Sequence, residues 1–285
     1  MKTVLVTGAN GQLGQCLRKI QTQHAAIDFH FVSIHELDIT DAAKVQALFV
    51  NHTFDYCVNC AAYTNVELAE SEQELAFQVN AEAAKYLAEI CTQHHTTLIH
   101  ISTDYVFDGD KTEPYTETDI PNPISVYGAS KLKGEQHIQQ ILNNHFIIRT
   151  SWLYAEFGKN FYRTMVQKAK EKANLTITTE QTGTPTNAND LAELIVTIIN
   201  TENTDYGVYH FSNDGEATWY DFTKEIIQNM HLAEADQPSL QPVATYKTKA
   251  ARPKNSVLDK TKVRSIITTI SWQESLRNLM NSVTF

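Results

Sequence analysis

Apolar runs of strand length recur through the first half of the chain, at residues 3–7, 29–34, 54–60, 97–102 and 146–150. Between them lie segments whose apolar positions follow helical spacing: residues 12–24, 41–52, a pair between 66 and 95, and 125–143. Strand and helix in alternation predict an α/β fold, a doubly wound parallel sheet, because each parallel connection needs a crossover of about a dozen residues or more. Sites in such sheets open at the carboxyl ends of the strands.

The second half is less regular. A helix at 159–171, a strand at 175–178, a helix at 189–200 and a strand at 207–211 can extend the sheet, with further helices at 219–230 and 271–281. Pro238, Pro242 and Pro253 stand among polar residues, which suggests a loop-rich lobe. The expected division is residues 1–150 and 175–212 in the sheet domain, and 151–174 and 213–285 in a smaller lobe.

With 42% hydrophobic and 20% charged residues, the composition is globular and excludes collagen-like, coiled-coil and low-complexity chains. The net charge of −10 disfavours nucleic acid as a partner. Residues 247–264 go against that trend: Lys247, Lys249, Arg252, Lys254, Lys260, Lys262 and Arg264 face only Asp259. Such a run reads as a solvated face or as an anion-binding loop. No stretch approaches the roughly 18 apolar residues of a membrane span, and Val4-Leu5-Val6 is cut by Gly8 before it could form a signal-peptide core. The expectation is a cytoplasmic protein. Four cysteines show no secretory framework, and Cys57 and Cys60 of the CxxC pattern fall on opposite faces of a strand.

Glycine is scarce, 10 residues in 285, yet Gly8, Gly11 and Gly14 fall together. They lie in Val4-Leu5-Val6-Thr7-Gly8-Ala9-Asn10-Gly11-Gln12-Leu13-Gly14, a strand, a tight turn and a helix start. Glycines there let a pyrophosphate approach the backbone, and the helix N-terminus offers it unpaired N–H groups. The turn is therefore read as a dinucleotide site, with Gly8, Asn10, Gly11, Gln12 and Leu13 in contact. The GxxGxxG spacing resembles that of the short-chain dehydrogenase/reductase superfamily, whose members use a nicotinamide cofactor and a tyrosine four residues before a lysine.

Tyr127-Gly128-Ala129-Ser130-Lys131 supplies that pair, on one face of a helix. A free tyrosine titrates near 10, and a neighbouring ammonium is expected to favour its phenolate. A third member should come from the end of the strand at 97–102. Thr103 and Ser102 both offer a hydroxyl there, and the resemblance selects Thr103, with Asp104 and Tyr105 beside it.

Further motifs follow in order: Ser102-Thr103-Asp104-Tyr105-Val106-Phe107-Asp108-Gly109, Arg149-Thr150-Ser151-Trp152, Asn160-Phe161, Gln181-Thr182-Gly183-Thr184-Pro185-Thr186 and Arg252-Pro253-Lys254-Asn255-Ser256. Over nearly the whole length the chain resembles the dTDP-4-dehydrorhamnose reductase family. The resemblance implies hydride transfer from NADPH to C4 of a dTDP-linked 4-keto-6-deoxy sugar. Tyr127 would be the proton donor, Thr103 would polarise the ketone, and Lys131 would hold the nicotinamide ribose. It further implies cofactor contacts from Asp38, Ile39, Ala61, Ala62 and Tyr63. Sugar contacts would come from Thr64, Asp104, Tyr105, Trp152, Asn160, Phe161 and Arg252. Trp152 has an alternative as a core indole, and Glu67, Glu70, Glu72 and Glu74 read most simply as a solvated helix start.

A carboxylate at the end of the second strand would hold a ribose 2′-hydroxyl and repel a 2′-phosphate. Ser33 and His35 occupy that end, with Glu36 close by, so NADPH is expected and NADH tolerated. Some family members bind magnesium between subunits through glutamates. The corresponding residues here are Cys16 and Asn189, neither a good hard-cation ligand, so no magnesium-bridged dimer is expected, and a homodimer of another kind stays open. Two rivals remain. A 4,6-dehydratase or epimerase shares the fold, but a dehydratase carries a glutamate where this chain has Tyr105. A non-catalytic module resembling the regulatory subunit of methionine adenosyltransferase would lack the Arg149–Trp152 and Asn160-Phe161 elements.

Overall fold

Strict inward and outward alternation along β1 (Lys2–Thr7) divides its side chains between two cores. Val4 and Val6 enter one, and Leu5 enters the other. In the computed structural model, which describes residues 1–283, β1 lies in a six-stranded sheet with β2 (Ile27–Val32), β3 (Tyr56–Asn59), β4 (Thr97–Thr103), β5 (His145–Thr150) and a sixth strand, Gly207–His210. The spatial order is Gly207–His210, β5, β4, β3, β1, β2, and every neighbouring pair is parallel.

On one face Val4, Val6, Val58, Ile99 and Phe146 pack against Leu13 and Leu17 of α1 (Gln12–Ile20) and against Leu191 and Ile195 of the helix Ala188–Asn200. On the other, Leu5, Cys57, Leu98 and Ile147 pack against Val45 and Phe49 of α2 (Ala42–Asn51) and Leu87 of the helix Ala83–His94. Cys57 and Cys60 thus belong to opposite faces, and both are free thiols. The sheet is doubly wound as expected. Its order reverses at β1, which has β2 on one side and β3 on the other, so a crevice opens over their carboxyl ends.

Of the two later strands expected to extend this sheet, Gly207–His210 does so and Leu175–Thr178 does not. The latter pairs with Leu240–Val243, and Leu175 packs with Met165, Phe222 and Leu276 in a third core. The position beside β5 is already taken by Gly207–His210. Pro242, which has no N–H to donate, suits a two-stranded edge pairing of this kind. The third core gathers the helices Phe161–Lys170, Trp219–Asn229 and Trp272–Ser282. No helix among the described residues is long and apolar enough to cross a membrane.

Candidate active site

A cleft of about 770 Å³ lies over the switch point, bounded by the glycine turn, the ends of β3 and β4, and the Trp152–Phe161 region. Gly8 has a φ of 65°, and a Cβ on it would stand 2.6 Å from the Ala61 nitrogen, so the turn and the end of β3 meet backbone to backbone. The Ala9 N–H donates to the Val32 carbonyl at 3.1 Å, tying the turn to β2. Gly11 caps α1 without any side-chain bond, which leaves the first N–H groups of the helix open to an anion. These features fit the diphosphate of a dinucleotide. At the end of β2, Glu36 turns back to accept the Ser33 N–H at 2.7 Å, while Ile34, Leu37, Asp38 and Ile39 line the cleft. The Asp38 carboxylate accepts from the Thr40 N–H and hydroxyl.

The helix Val126–Ile141 starts at Ser125, whose hydroxyl accepts the Gly128 N–H, and carries Tyr127 and Lys131 one turn apart. Tyr127 and Thr103 line the same cleft, and Thr103 acts on the Tyr127 phenol. Burial pushes the phenol above its ordinary value, and of the groups acting on it only Thr103 favours the phenolate. Lys131 is not among the groups acting on the phenol. The ammonium position is instead turned under the cleft floor, where Nζ donates to the Ile101 carbonyl at 2.6 Å and lies 3.2 Å from His100 Nε2. Burial draws Lys131 down to about 8.

Ser102 and Thr103 part company at the end of β4. The Ser102 hydroxyl donates to Glu135, which also receives the Arg149 guanidinium through Nε and Nη2, all three buried. Thr103 faces Tyr127, accepts the Tyr105 N–H and donates to Asp104. Asp104 is 2% exposed, and burial raises its carboxyl to about 6, against the opposing influence of Ser256 and of Thr103, whose hydroxyl donates to it.

Across the cleft, Trp152 stacks on Trp219, and Phe161 packs against Trp219 at 4.5 Å between ring centroids. Trp152 lines the cleft rather than the core interior. The Asn160 amide is largely spent on its own surroundings. It donates to Gln12 of the glycine turn and to two loop carbonyls, and its oxygen caps the Phe161–Lys170 helix. Arg252 reaches in from the C-terminal lobe with Nη2 donating to Glu67 at 2.7 Å.

Every expected site residue lines this cleft except Tyr63. The Tyr63 hydroxyl instead donates to Glu72, and its backbone is clamped by Asn80. Of the acidic residues read as a solvated helix start, Glu67 holds Arg252 and the Lys249 N–H, and Glu70 accepts the Val126 N–H. Glu67 and Glu70 thus have tertiary partners, while Glu72 and Glu74 are exposed. The basic stretch divides accordingly: Arg252 enters the cleft, whereas Lys262 donates to the Val208 carbonyl and lies over the Tyr209 ring. At the positions compared with magnesium ligands, Cys16 is buried and the Asn189 amide donates to Glu156. Trp219, His100 and Asn59 were not singled out by sequence. A helix-capping Thr218 before Trp219 marks an element start, but nothing local says which ring it will meet.

A parallel sheet with a glycine turn after its first strand, and a tyrosine and lysine one helical turn apart beside the switch point, defines an oxidoreductase of the short-chain dehydrogenase/reductase class. The profile described as RmlD substrate binding domain matches residues 1–285, and the chain belongs to that family. It is 37% identical to the dTDP-4-dehydrorhamnose reductase of Aggregatibacter actinomycetemcomitans, with 98% of each chain covered. It is also 37% identical to the enzyme of the same name from Sinorhizobium fredii, over 96% of this chain and 95% of that one. Its fold superimposes with a TM-score of 0.94 on the dTDP-4-dehydrorhamnose reductase of Bacillus anthracis in complex with NADP, at 37% identity and 99% coverage of both chains.

Proposed function

We propose that this chain reduces the C4 ketone of dTDP-4-dehydro-6-deoxy-L-mannose to the hydroxyl of dTDP-L-rhamnose with NADPH, and that Thr103, Tyr127 and Lys131 divide the work. A bound reduced nicotinamide supplies a hydride to C4. Thr103 holds the carbonyl oxygen and Tyr127 delivers the proton that it takes up, so hydride and proton together complete the alcohol. An acid must begin protonated, and burial of the Tyr127 phenol secures that state. Lys131 would hold the ribose of the nicotinamide. Trp152, Phe161 and Tyr105 wall the sugar, and Arg252 meets the diphosphate with a geometry suited to phosphate oxygens. A dehydratase needs an acid-base carboxyl in the place of Tyr105, a phenol pushed up to about 12. The reaction's cofactor and nucleotide-sugar substrate argue for the cytoplasm.

The observation that carries this reading is that Thr103 and Tyr127 line one cleft with the glycine turn and Trp152. The test follows nicotinamide absorbance with the 4-keto sugar nucleotide and NADPH. Tyr127→Phe should lower kcat by roughly 10²–10⁴ with NADPH binding retained. Equal rates in the two proteins would remove Tyr127 from the acid role.

A further inference from the structure

Beneath the cleft floor a line of hydrogen bonds runs from β1 to Lys131, and its polarity can be read from one end. The Ala61 N–H can only donate, and Asn59 Oδ1 accepts it at 3.2 Å together with the Thr7 hydroxyl at 2.7 Å. The Asn59 amide is thereby oriented, with its Nδ2 turned to His100 Nδ1 at 3.1 Å. Nδ1 must then be the accepting nitrogen, and a neutral imidazole so bound carries its proton on Nε2. Nε2 lies 3.2 Å from Lys131 Nζ. An ammonium there would set two donors against each other in a buried site, whereas an amine offers a lone pair. Asn59, His100 and Lys131 are each at most 2% exposed, so no solvent relieves the conflict.

We propose that His100, oriented by Asn59, is a positioning residue that favours the neutral amine of Lys131 in the free protein by donating its Nε2–H to it. The inference builds on the role given to Lys131 above. Its surroundings agree. Burial is the main influence on Lys131 and brings it to about 8; it also holds His100 well below the ordinary histidine range, so the ring stays neutral. Glu135, on the same helix, pulls the other way, but the Arg149 guanidinium of β5 already occupies that carboxylate. Cys60, beyond β3, is kept a neutral thiol by burial, and Tyr127 is a neutral phenol. Lys131 thus holds its proton weakly beneath the cleft while Tyr127 keeps its own.

The test is ¹⁵N NMR of the ring nitrogens of histidine and Nζ of lysine in the full chain without cofactor or substrate. Expected are a His100 ring protonated on Nε2 alone and a Lys131 titration with a midpoint at or below about 8. Asn59→Asp replaces the donor facing Nδ1 with an acceptor. It should move the ring proton to Nδ1, turn Nε2 into an acceptor, and raise the Lys131 midpoint by at least about one unit. A wild-type ring protonated on Nδ1, a Lys131 charged throughout to pH 9.5, or an unmoved midpoint in Asn59→Asp would each overturn the proposal. The wild-type spectra decide even if the variant fails to fold. They require no turnover, so they stand apart from the Tyr127→Phe result.

Discussion

Trp152 and Trp219 lie face to face, their ring centroids 3.7 Å apart and their planes 8° from parallel. Gly183 makes room for this pair: a Cβ there would stand 2.7 Å from the Trp152 ring. Trp152 also holds a φ of 45°, costly for a bulky side chain, and its carbonyl accepts the Thr186 N–H. Strain, close approach and stacking all serve to present one indole to the cleft.

Gly183→Ala and Trp219→Ala should therefore raise KM for the nucleotide sugar by roughly 3- to 10-fold, in line with the worth of an aromatic pair. The Kd for NADPH should hold, because neither residue touches the glycine turn. Steady-state kinetics beside a fluorescence titration of the cofactor separates the two effects.

Arg252→Ala should weaken the sugar nucleotide by about 10- to 100-fold, the loss of a charge-assisted contact. Arg252→Lys should recover only part, since an ammonium cannot reproduce the two-pronged donor geometry. Glu67→Gln should act in the same direction more weakly, because it releases the guanidinium without removing it. Competition by dTDP measures each variant, and an unchanged inhibition constant for Arg252→Ala would take this residue out of the diphosphate site.

Asp104 gives a pH signature of stability. Burial raises its carboxyl from 3.8 to about 6, so the folded state binds the proton more tightly than the unfolded chain. Its contribution is fully present below pH 3.8 and is lost as pH rises through about 6, a difference of ~3 kcal/mol. Asp104→Asn should therefore melt above the wild type at pH 7.5, with the gap closing as pH falls from 6 towards 4. A gap constant over that range would mean the carboxyl is not strained by burial.

The buried Arg149–Glu135 pair should behave asymmetrically. Glu135→Ala leaves an uncompensated guanidinium in the core and should cost about 3–5 kcal/mol in chemical denaturation. Replacing both partners by apolar residues should recover much of that loss, because removing a buried pair also removes its desolvation penalty. Additive losses in the double variant would show that the two residues are not energetically coupled.

The sheet and the glycine turn were legible in the chain, as was the Tyr127/Lys131 pair, because each is written in short-range spacing. A period of two marks strand faces, an i to i+4 step marks one helical face, and three close glycines mark a turn that needs no Cβ. Spacing says which face is buried but not against what. Hence spacing alone did not separate Ser102 from Thr103, which the resemblance selected and for which Glu135's claim on Ser102 gives the physical reason, and it sent residues 175–178 to a sheet whose edge another strand occupies. Glu67 looked solvated because its partner Arg252 is 185 residues away, and Trp219 looked like one more helical aromatic. The state of Lys131 is the clearest case. Its position follows from a motif, but its proton is governed by Asn59 and His100, which only the folding of β3 and β4 beneath the helix brings within hydrogen-bonding distance.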